Sequence, residues 1–316
     1  MKIDPELLWL VGGVAALLVV ASVLGRLIAH RAGSDSLRAT AANLNARVRA
    51  WWVMTALFGL ALATGGIGTI LLFSLTSFLA LREFVSLTPT RPGDHRPLFW
   101  AFFLIVPLQY LLVGIHWYGL FAIFIPVFAF LVLPIRSAAA GETEHFLERA
   151  AKLQWALMIC VYSVSHAPAI LTFLKIPGYE GQNPKLLFYF VLVCELSDVL
   201  QYCFGKLFGK HPVSPTVSPN KTWEGLIGGV ATTVLIGAGL WWATPFTPWQ
   251  SAGMSLAICG MGFGGGLVMS AIKRDFGVKD WGKAIDGHGG VLDRIDSLCF
   301  AAPIFLHLTR YYFSAV

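Results

Sequence analysis

Runs of about twenty apolar residues recur along most of this chain, for example over residues 7–24, 153–174 and 295–313. A helix of about 20 residues spans the hydrocarbon core of a bilayer and satisfies its own backbone hydrogen bonds there. With 56% hydrophobic residues, the 316-residue chain is also more apolar than a soluble protein of that size. The sequence therefore predicts an all-α fold, that of a polytopic integral membrane protein.

Two of the apolar runs are too long for one helix, and each carries residues that favour a break. The run over residues 51–81 contains a glycine pair that begins at Gly65, and the run over residues 98–133 is interrupted near His116. Glycine pairs and short polar stretches of this kind end helices. Splitting both runs gives about ten transmembrane helices.

The distribution of basic residues supports this count. If ten spans are drawn with both termini outside, only four of the 23 Lys and Arg residues lie on the outer side, namely Lys2, Lys175, Lys185 and Arg310. Cytoplasmic loops of membrane proteins are enriched in Lys and Arg, so the uneven split favours this topology. We expect an N-terminal region of about six spans over residues 1–185 and a C-terminal catalytic region of about four spans over residues 186–316. The location expected is a bacterial inner membrane, with the active site facing the cytoplasm.

The composition disfavours a nucleic-acid partner and a disulfide or metal role for the cysteines. The net charge of +6 fits basic cytoplasmic loops, but no basic patch with interleaved aromatic residues indicates a nucleic-acid partner. The five cysteines lie in apolar runs and form no CxxC pair, so we expect them to pack in the core without a disulfide or metal role.

The densest cluster of charged residues, here called the polar island, covers residues 270–297 and lies between two apolar runs. Only 13% of the whole chain is charged, and such a cluster beside membrane helices is costly unless it faces water or a polar ligand. Its residues of chemical interest are Lys273, Arg274, Lys279, Asp280, His288, Asp293, Arg294 and Asp296.

These residue types suit phosphate chemistry. Aspartate oxygens are ligands that Mg²⁺ prefers, and Lys and Arg side chains donate to phosphate oxygens. Gly289 and Gly290 let backbone N–H groups approach an anion closely. The polar island therefore predicts Mg²⁺-assisted phosphoryl or nucleotidyl transfer. The alternative is a solvated loop whose charges only fix topology, which the mixed charges and clustered glycines disfavour.

Two other stretches are predicted to face the same side of the membrane. Glu195 and Asp198 are three residues apart near the end of the seventh span, expected over residues 186–204, and acidic residues within a membrane helix usually line a polar cavity. They could instead pair with a neighbouring helix. In residues 218–225, Asn220 or Thr222 can cap the eighth helix, whose span is expected over about residues 226–243, and Lys221 lies where free helix N–H groups favour an anion. A simple interfacial helix start with a Trp anchor is an equal alternative for this stretch.

The polar island resembles the signature of the phosphatidate cytidylyltransferase (CDP-diacylglycerol synthase) family. Residues 218–225 are similar to that family's Ser-Pro-x-Lys-Thr-Trp-Glu-Gly motif, and Asp198 and Tyr202 fall where the family has an acidic and an aromatic residue. The resemblance covers about residues 186–316. The matching positions of the signature are Ser270, Lys273, Arg274, Lys279, Asp280, His288, Gly289, Gly290, Asp293, Arg294 and Asp296.

The resemblance implies a reaction in which the phosphate of phosphatidic acid attacks the α-phosphorus of CTP and forms CDP-diacylglycerol and pyrophosphate. It implies a Mg²⁺-dependent enzyme, with a second cation left open, whose partners are CTP, phosphatidic acid and membrane lipids. Because the attacking group is itself a phosphate, the reaction needs positioning and charge neutralisation more than a strong base. Small-residue patches such as residues 225–229 permit a homodimer.

Three groups of residues are expected to form the site. The catalytic residues are expected to be Lys273, Asp280, His288, Asp293 and Asp296. The substrate-binding residues are expected to be Ser218, Lys221, Thr222, Arg274, Lys279, Gly289, Gly290 and Arg294. The metal ligands are expected to be Asp198, Asp293 and Asp296.

Two departures from the family pattern bear on activity. Asp286 stands where the family often has Pro or Gly, a change of mild expected effect. Gly266 stands where the family commonly has Asp, and that Asp is an expected metal ligand. Either another acid such as Glu195 or Asp198 compensates for the missing carboxylate, or this chain is impaired or specialised.

Three alternatives stay open at this point. An impaired family member could act as a membrane assembly protein. A nucleotidyltransferase could use another lipid phosphate, since apolar residues would look alike for any acyl chain. A transporter could also carry glycine-broken helices and acids within the membrane, but it would be expected to show two similar halves, and the sequence shows no such repeat.

Overall fold

The computed structural model describes residues 5–31, 35–284 and 289–315, and these residues form mostly helices. When each uninterrupted helical stretch is counted once, ten helices, α1 to α10, follow one another in the described chain. In order, they are Pro5–Arg31, Asp35–Ala63, Gly65–Ser86, Pro92–Gly114, Tyr118–Ala138, Phe146–Phe173, Asn183–Phe208, Trp223–Gly239, Pro248–Asp275 and Leu292–Phe313. A short 3₁₀ turn, Trp241–Ala243, follows α8.

The structure confirms an all-α, polytopic membrane protein. Eight helices are long and apolar enough to cross a membrane, judged by length and composition within the described residues. The other two are α8, which has 17 residues, and α10, which carries charged residues in its first turn and Arg310 in its last turn. The count of ten spans and the placement of both termini outside stay predictions.

Both predicted breaks occur. The chain breaks between α2 and α3 at Thr64, and Gly65, the first residue of α3, has a φ of +80°, a conformation that favours glycine. His116, with a φ of +62°, lies between α4 and α5. Helices α4, α5 and α6 each include a π-helical turn, at Ala101–Ile105, Phe124–Ala129 and Met158–Ser163.

The helices pack around one core. Helix α7 packs against α8, α9 and α10, and α10 also contacts α3 and α6. Aromatic rings contribute to this core, as in the stack of Phe190 on Phe305, whose centroids are 5.0 Å apart. Buried residues on both sides of residue 185 belong to one continuous cluster. The predicted division into residues 1–185 and 186–316 is therefore not visible as two cores, and it stays a prediction.

Three contacts place the start of α1, the α6–α7 loop and the end of α10 on one face of the bundle. Glu6 pairs with Lys185 at the start of α7. The backbone N–H of Lys175 donates to Ser314 Oγ at 2.9 Å, and that of Ala315 donates to the Lys175 carbonyl at 2.8 Å. Because α7 and α10 cross the bundle from these points, the end of α7 and the start of α10 lie on the opposite face, together with the polar island.

A short β-hairpin departs from the expected all-helical chain. Strand β1, Pro212–Ser214, pairs antiparallel with β2, Ser218–Thr222. The hairpin leads directly into α8, whose N-cap is Thr222, because the Thr222 hydroxyl oxygen accepts a hydrogen bond from the Gly225 N–H at 3.1 Å. The predicted cap is thus confirmed, and it fixes the hairpin to the first turn of α8.

Glycines let α7 and α8 approach each other at backbone distance. A Cβ at Gly229 would lie 2.5 Å from the Gln201 backbone nitrogen and 2.6 Å from its Cα. Small residues allow such close helix packing in membranes, where dispersion contacts replace the hydrophobic effect between helices. The α7–α8 contact positions both Asp198 and the hairpin.

We expect Gly229→Ala to lower the thermal stability of the purified protein, because the new methyl group would push α8 away from the α7 backbone. Gly264→Ala on α9 is the matched control, since a Cβ at Gly264 meets nothing within 4 Å. Thermal unfolding in detergent compares the two variants. Equal melting temperatures for them would contradict the packing described here.

Candidate active site between two cavities

Two cavities meet at the face that carries the polar island. The larger has a volume of about 830 Å³ and the smaller a volume of about 320 Å³. Both are lined by the same group of α7 and α10 residues, here called the shared wall: Asp198, Tyr202, Asp293, Arg294 and Asp296. The shared wall combines residues that are about a hundred positions apart in the chain, and it brings together all three predicted metal ligands.

The larger cavity lies between α2 and the polar island. From the island it is lined by Lys279, Asp280, Lys283 and Gly289, which places three predicted site residues here. Its opposite side is formed by α2 residues that the sequence did not single out: Asn43, Leu44, Arg47, Val48 and Trp51. Arg47 also lies over the Tyr202 ring, with its guanidinium carbon 6.0 Å from the ring centroid.

The smaller cavity lies between the hairpin and α9. Strand β2 contributes Ser218, Lys221 and Thr222, the three substrate-binding residues predicted from this stretch. Helix α9 contributes Phe263 and Gly266. The hydroxyl groups of Ser218 and Thr222 and the ammonium of Lys221 are donors suited to an anion, and they lie beside the carboxylates of the shared wall.

Asp293 is the most fully engaged side chain of the shared wall. Its Oδ1 lies 2.8 Å from Lys273 Nζ, and its Oδ2 accepts the backbone N–H groups of Trp281 and Gly290 at 2.8 and 2.9 Å. The Asp293 side chain is 5% exposed. A buried carboxylate with a charged partner and two backbone donors is held in one orientation. Asp293 therefore joins the end of α9, the loop that follows it and the start of α10.

Asp198 and Asp296 are held more lightly. Ser297 Oγ donates to Asp198 Oδ2 at 2.7 Å, and the Ser297 backbone N–H donates to Asp296 Oδ1 at 2.9 Å. Among hydrogen bonds within the described residues, each of these carboxylates accepts one, whereas Asp293 accepts three. Asp198 and Asp296 thus keep more oxygen lone pairs for a cation, and Glu195 lines the larger cavity beside them.

Lys221 brings positive charge to the shared wall. Its ammonium lies 4.9 Å from the centroid of the Phe263 ring. Burial lowers the pKa of Lys221, while the carboxylates of Asp198 and Asp296 act in the opposite direction. A partly desolvated ammonium of this kind interacts more strongly with an incoming anion than an exposed one does.

Gly266 leaves the space that the Lys221 ammonium uses. A Cβ built at Gly266 would meet Lys221 Nζ, and its next neighbour would be Lys221 Cε at 3.7 Å. The Gly266 carbonyl accepts a hydrogen bond from Ser270 Oγ at 2.7 Å. An Asp side chain at position 266 would therefore project at Lys221.

Some predicted site residues have other contacts. Arg274 donates to the backbone carbonyls of Val217 and Val278 at 3.3 and 3.1 Å and lines neither cavity, so it ties the turn of the hairpin to the loop after α9. Gly290 was predicted to bind phosphate, but its backbone N–H donates to the Asp293 carboxylate. His288 lies outside the described residues, and its predicted role stays a prediction.

The oxygen ligands of the shared wall fit one mode of Mg²⁺ binding. Within residues 5–31, 35–284 and 289–315, no group of three or more His, Cys, Asp and Glu side chains is arranged as a metal-ligand set. In nucleotide enzymes, Mg²⁺ is commonly held by one or two carboxylates together with substrate phosphates and water. Asp198 and Asp296 suit that mode. The metal role of Asp293 and the dependence on Mg²⁺ stay predictions.

Sequence reasoning missed two contributors from the N-terminal helices. Arg47 faces the larger cavity from α2. Glu83, on α3, accepts the backbone N–H groups of Val291 and Leu292 at 2.9 and 2.8 Å. Glu83 lies just after the apolar run over residues 51–81, among other charged residues, and its partner, more than two hundred residues away in the chain, has no local signature.

Comparison with known proteins shows the family of this chain. A family model described as the cytidylyltransferase family matches residues 45–312. The uncharacterized protein YnbB of Escherichia coli (strain K12) is 39% identical over 303 residues, which cover 94% of this chain and 96% of YnbB. A phosphatidate cytidylyltransferase of Staphylococcus aureus (strain COL) is 38% identical over 147 residues, which cover 46% of this chain and 56% of that protein. One of Mycobacterium leprae (strain TN) is 36% identical over 148 residues, which cover 46% of each chain.

The different bonding of the two α10 aspartates predicts different effects on stability. We expect Asp293→Asn to lower the free energy of unfolding by about 3 kcal/mol, because it leaves the buried Lys273 ammonium without its charged partner. Asp296→Asn should cost less, because the Asp296 carboxylate is half-buried and, among the described residues, accepts only one hydrogen bond. Thermal unfolding in detergent without substrates measures both. An equal loss of unfolding free energy in the two variants would contradict the structural role given to Asp293.

Proposed function

Because the chain belongs to the cytidylyltransferase family, we propose that it is a CTP:phosphatidate cytidylyltransferase. In this proposal it makes CDP-diacylglycerol and pyrophosphate from CTP and phosphatidic acid on the cytoplasmic side of a bacterial inner membrane. The relatives that carry the name phosphatidate cytidylyltransferase match only 46% of this chain, so the lipid acceptor is part of the proposal.

One observation carries the proposal: two cavities share a wall that bears both carboxylates and cations. The reaction joins two anions, a nucleoside triphosphate and a lipid phosphate, which repel each other in water. Lys221 and Arg294 supply positive charge at the wall, and Asp198 and Asp296 supply oxygen ligands. A site that accepts one anion from each side lowers the barrier by positioning and charge neutralisation.

The chemical step needs no strong base. An oxygen of the lipid phosphate forms a bond to the α-phosphorus of CTP, and the bond from that phosphorus to the β-phosphate oxygen breaks. Pyrophosphate leaves with the electron pair. Charge accumulates on the phosphate oxygens during this exchange, and Lys221 and Arg294 are the donors placed to stabilise it.

The smaller cavity suits the triphosphate. The hydroxyl groups of Ser218 and Thr222 and the ammonium of Lys221 line it, and all three residues come from one strand whose end is fixed by the α8 cap. Such a rigid set of donors loses little conformational freedom when an anion binds. This arrangement supports binding of CTP from the hairpin side.

The larger cavity suits the lipid reactant. Its α2 side presents the apolar side chains of Leu44, Val48 and Trp51 together with Arg47. Apolar groups fit the acyl–glycerol part of a lipid, and a guanidinium fits its phosphate. The phosphate would then lie between Arg47 and the shared wall.

Mg²⁺ is the proposed cofactor, and when bound it would neutralise charge on the phosphates and on the leaving pyrophosphate. Asp198 and Asp296 are the residues proposed to hold it. Asp293 is proposed to keep α10 in place, since its oxygens already serve Lys273 and the polar island.

We expect purified protein with CTP, phosphatidic acid and Mg²⁺ to form CDP-diacylglycerol and pyrophosphate, and EDTA to stop the reaction. Asp296→Asn should reduce kcat by at least about a hundredfold, because it removes a proposed cation ligand. Glu144→Gln is the control, since Glu144 is an exposed acid that pairs with Arg91 away from both cavities. Release of labelled pyrophosphate and chromatography of the lipid product measure the rates.

The same assay with Gly266→Asp separates this proposal from the impaired-member alternative. The proposal predicts product from the parent chain and less from Gly266→Asp, whose new carboxylate would pair with Lys221. Product only from Gly266→Asp would mean that the parent chain has lost a metal ligand. No product from either variant would contradict the proposed function.

We expect Arg47→Ala to raise the KM for phosphatidic acid by about tenfold, the loss of one charge-assisted hydrogen bond, with a smaller change in the KM for CTP. Arg49→Ala is the matched control, because Arg49 lies on the same helix and does not line the larger cavity. Steady-state kinetics in mixed micelles measure both constants. A larger effect on the KM for CTP would contradict the assignment of the two cavities.

A further inference from the structure

We propose that Glu83 is a positioning residue, which holds the first turn of α10 and thereby places Arg294 and Asp296 in the shared wall. Its effect on catalysis rests on the proposed function, but its effect on the structure does not. Glu83 lies on α3, and it lines neither cavity, so it acts through α10.

The carboxylate of Glu83 serves as the cap that α10 lacks. The N-cap residue of α10 is Val291, which has no side-chain capping hydrogen bond. Glu83 Oε1 instead accepts the Val291 N–H at 2.9 Å, and Oε2 accepts the Leu292 N–H at 2.8 Å. Free N–H groups and the helix dipole at an N-terminus both favour a negative charge. A distant helix thus provides what the local sequence does not.

Two glycines leave room for this carboxylate. A Cβ at Gly282 would lie 2.8 Å from Glu83 Oε1, and a Cβ at Gly290 would lie 2.6 Å from Glu83 Cδ. Any side chain at either position would displace the carboxylate or the loop. The glycine at position 290 is therefore explained by the approach of Glu83, in addition to its hydrogen bond with Asp293.

The residue next to Glu83 fixes the same loop by packing. The Phe84 ring stacks on Trp281 with centroids 5.1 Å apart and an interplanar angle of 19°, and it meets Phe276 edge-on at 5.7 Å. Trp281 is 2% exposed, and its backbone N–H donates to Asp293. The end of α3 therefore contacts the polar island twice, through an apolar ring and through a charge.

The geometry links this cap to the proposed chemistry. Asp296 lies four residues after Leu292 on α10, about one helical turn. If the first turn of α10 loses its cap, it frays, and the shared wall loses the fixed spacing between Asp198 and Asp296. Such a change should affect the transition state more than initial binding of CTP, which the hairpin also holds.

Amide hydrogen exchange of the full-length protein tests the cap without any substrate. We expect peptides covering residues 289–296 to exchange about tenfold faster in Glu83→Ala than in the parent chain, with Glu83→Gln in between, because a Gln oxygen can still accept one of the two bonds. Glu144→Gln, an exposed acid, should change nothing in these peptides. Unchanged exchange in both Glu83 variants would overturn the proposal.

Kinetics test the consequence for catalysis. We expect Glu83→Ala to lower kcat by about tenfold, equal to about 1.4 kcal/mol, while the KM for CTP stays within about twofold; Glu83→Gln should recover part of the loss. An increase in the KM for CTP at unchanged kcat would overturn the positioning role. If the parent chain forms no CDP-lipid, the proposed function fails, whereas the exchange result still decides whether Glu83 caps α10.

Discussion

The fold depends on how one buried carboxylate is satisfied. Asp293 lies at the start of a membrane-associated helix, where an unpaired charge would cost several kcal/mol. Lys273 pairs with this carboxylate, and the backbone N–H groups of Trp281 and Gly290 donate hydrogen bonds to it. Because its partners come from α9 and from the loop that follows, this one side chain of α10 holds that loop against the two helices.

The N-terminal helices are part of the site. Helix α2 forms one side of the larger cavity, and α3 presents Glu83 to the start of α10 and Phe84 to Trp281. Helices α7 and α8, brought together by glycines, place Asp198 opposite the hairpin. A catalytic region taken as residues 186–316 alone would lack a cavity wall and a helix cap.

Much of this arrangement could be predicted from local sequence. The breaks near Gly65 and His116 and the Thr222 cap follow from backbone preferences of the residues concerned, and the structure has all three. The meeting of Asp198 with Lys221 and Asp296 followed from helix ends on one side of a bilayer. Partners in space could not be predicted: nothing near Glu83 in the sequence indicates α10. Residue type alone also did not separate Asp293, whose oxygens hold the loop, from Asp296, whose oxygens face the cavities.

The most direct test of the account is a structure of the protein with Mg²⁺ and a CTP analogue that cannot react. We predict that the triphosphate lies in the smaller cavity beside Lys221, that the cation binds Asp198 and Asp296, and that Asp293 stays paired with Lys273. A nucleotide bound outside both cavities, or a cation that displaces Lys273 from Asp293, would contradict it.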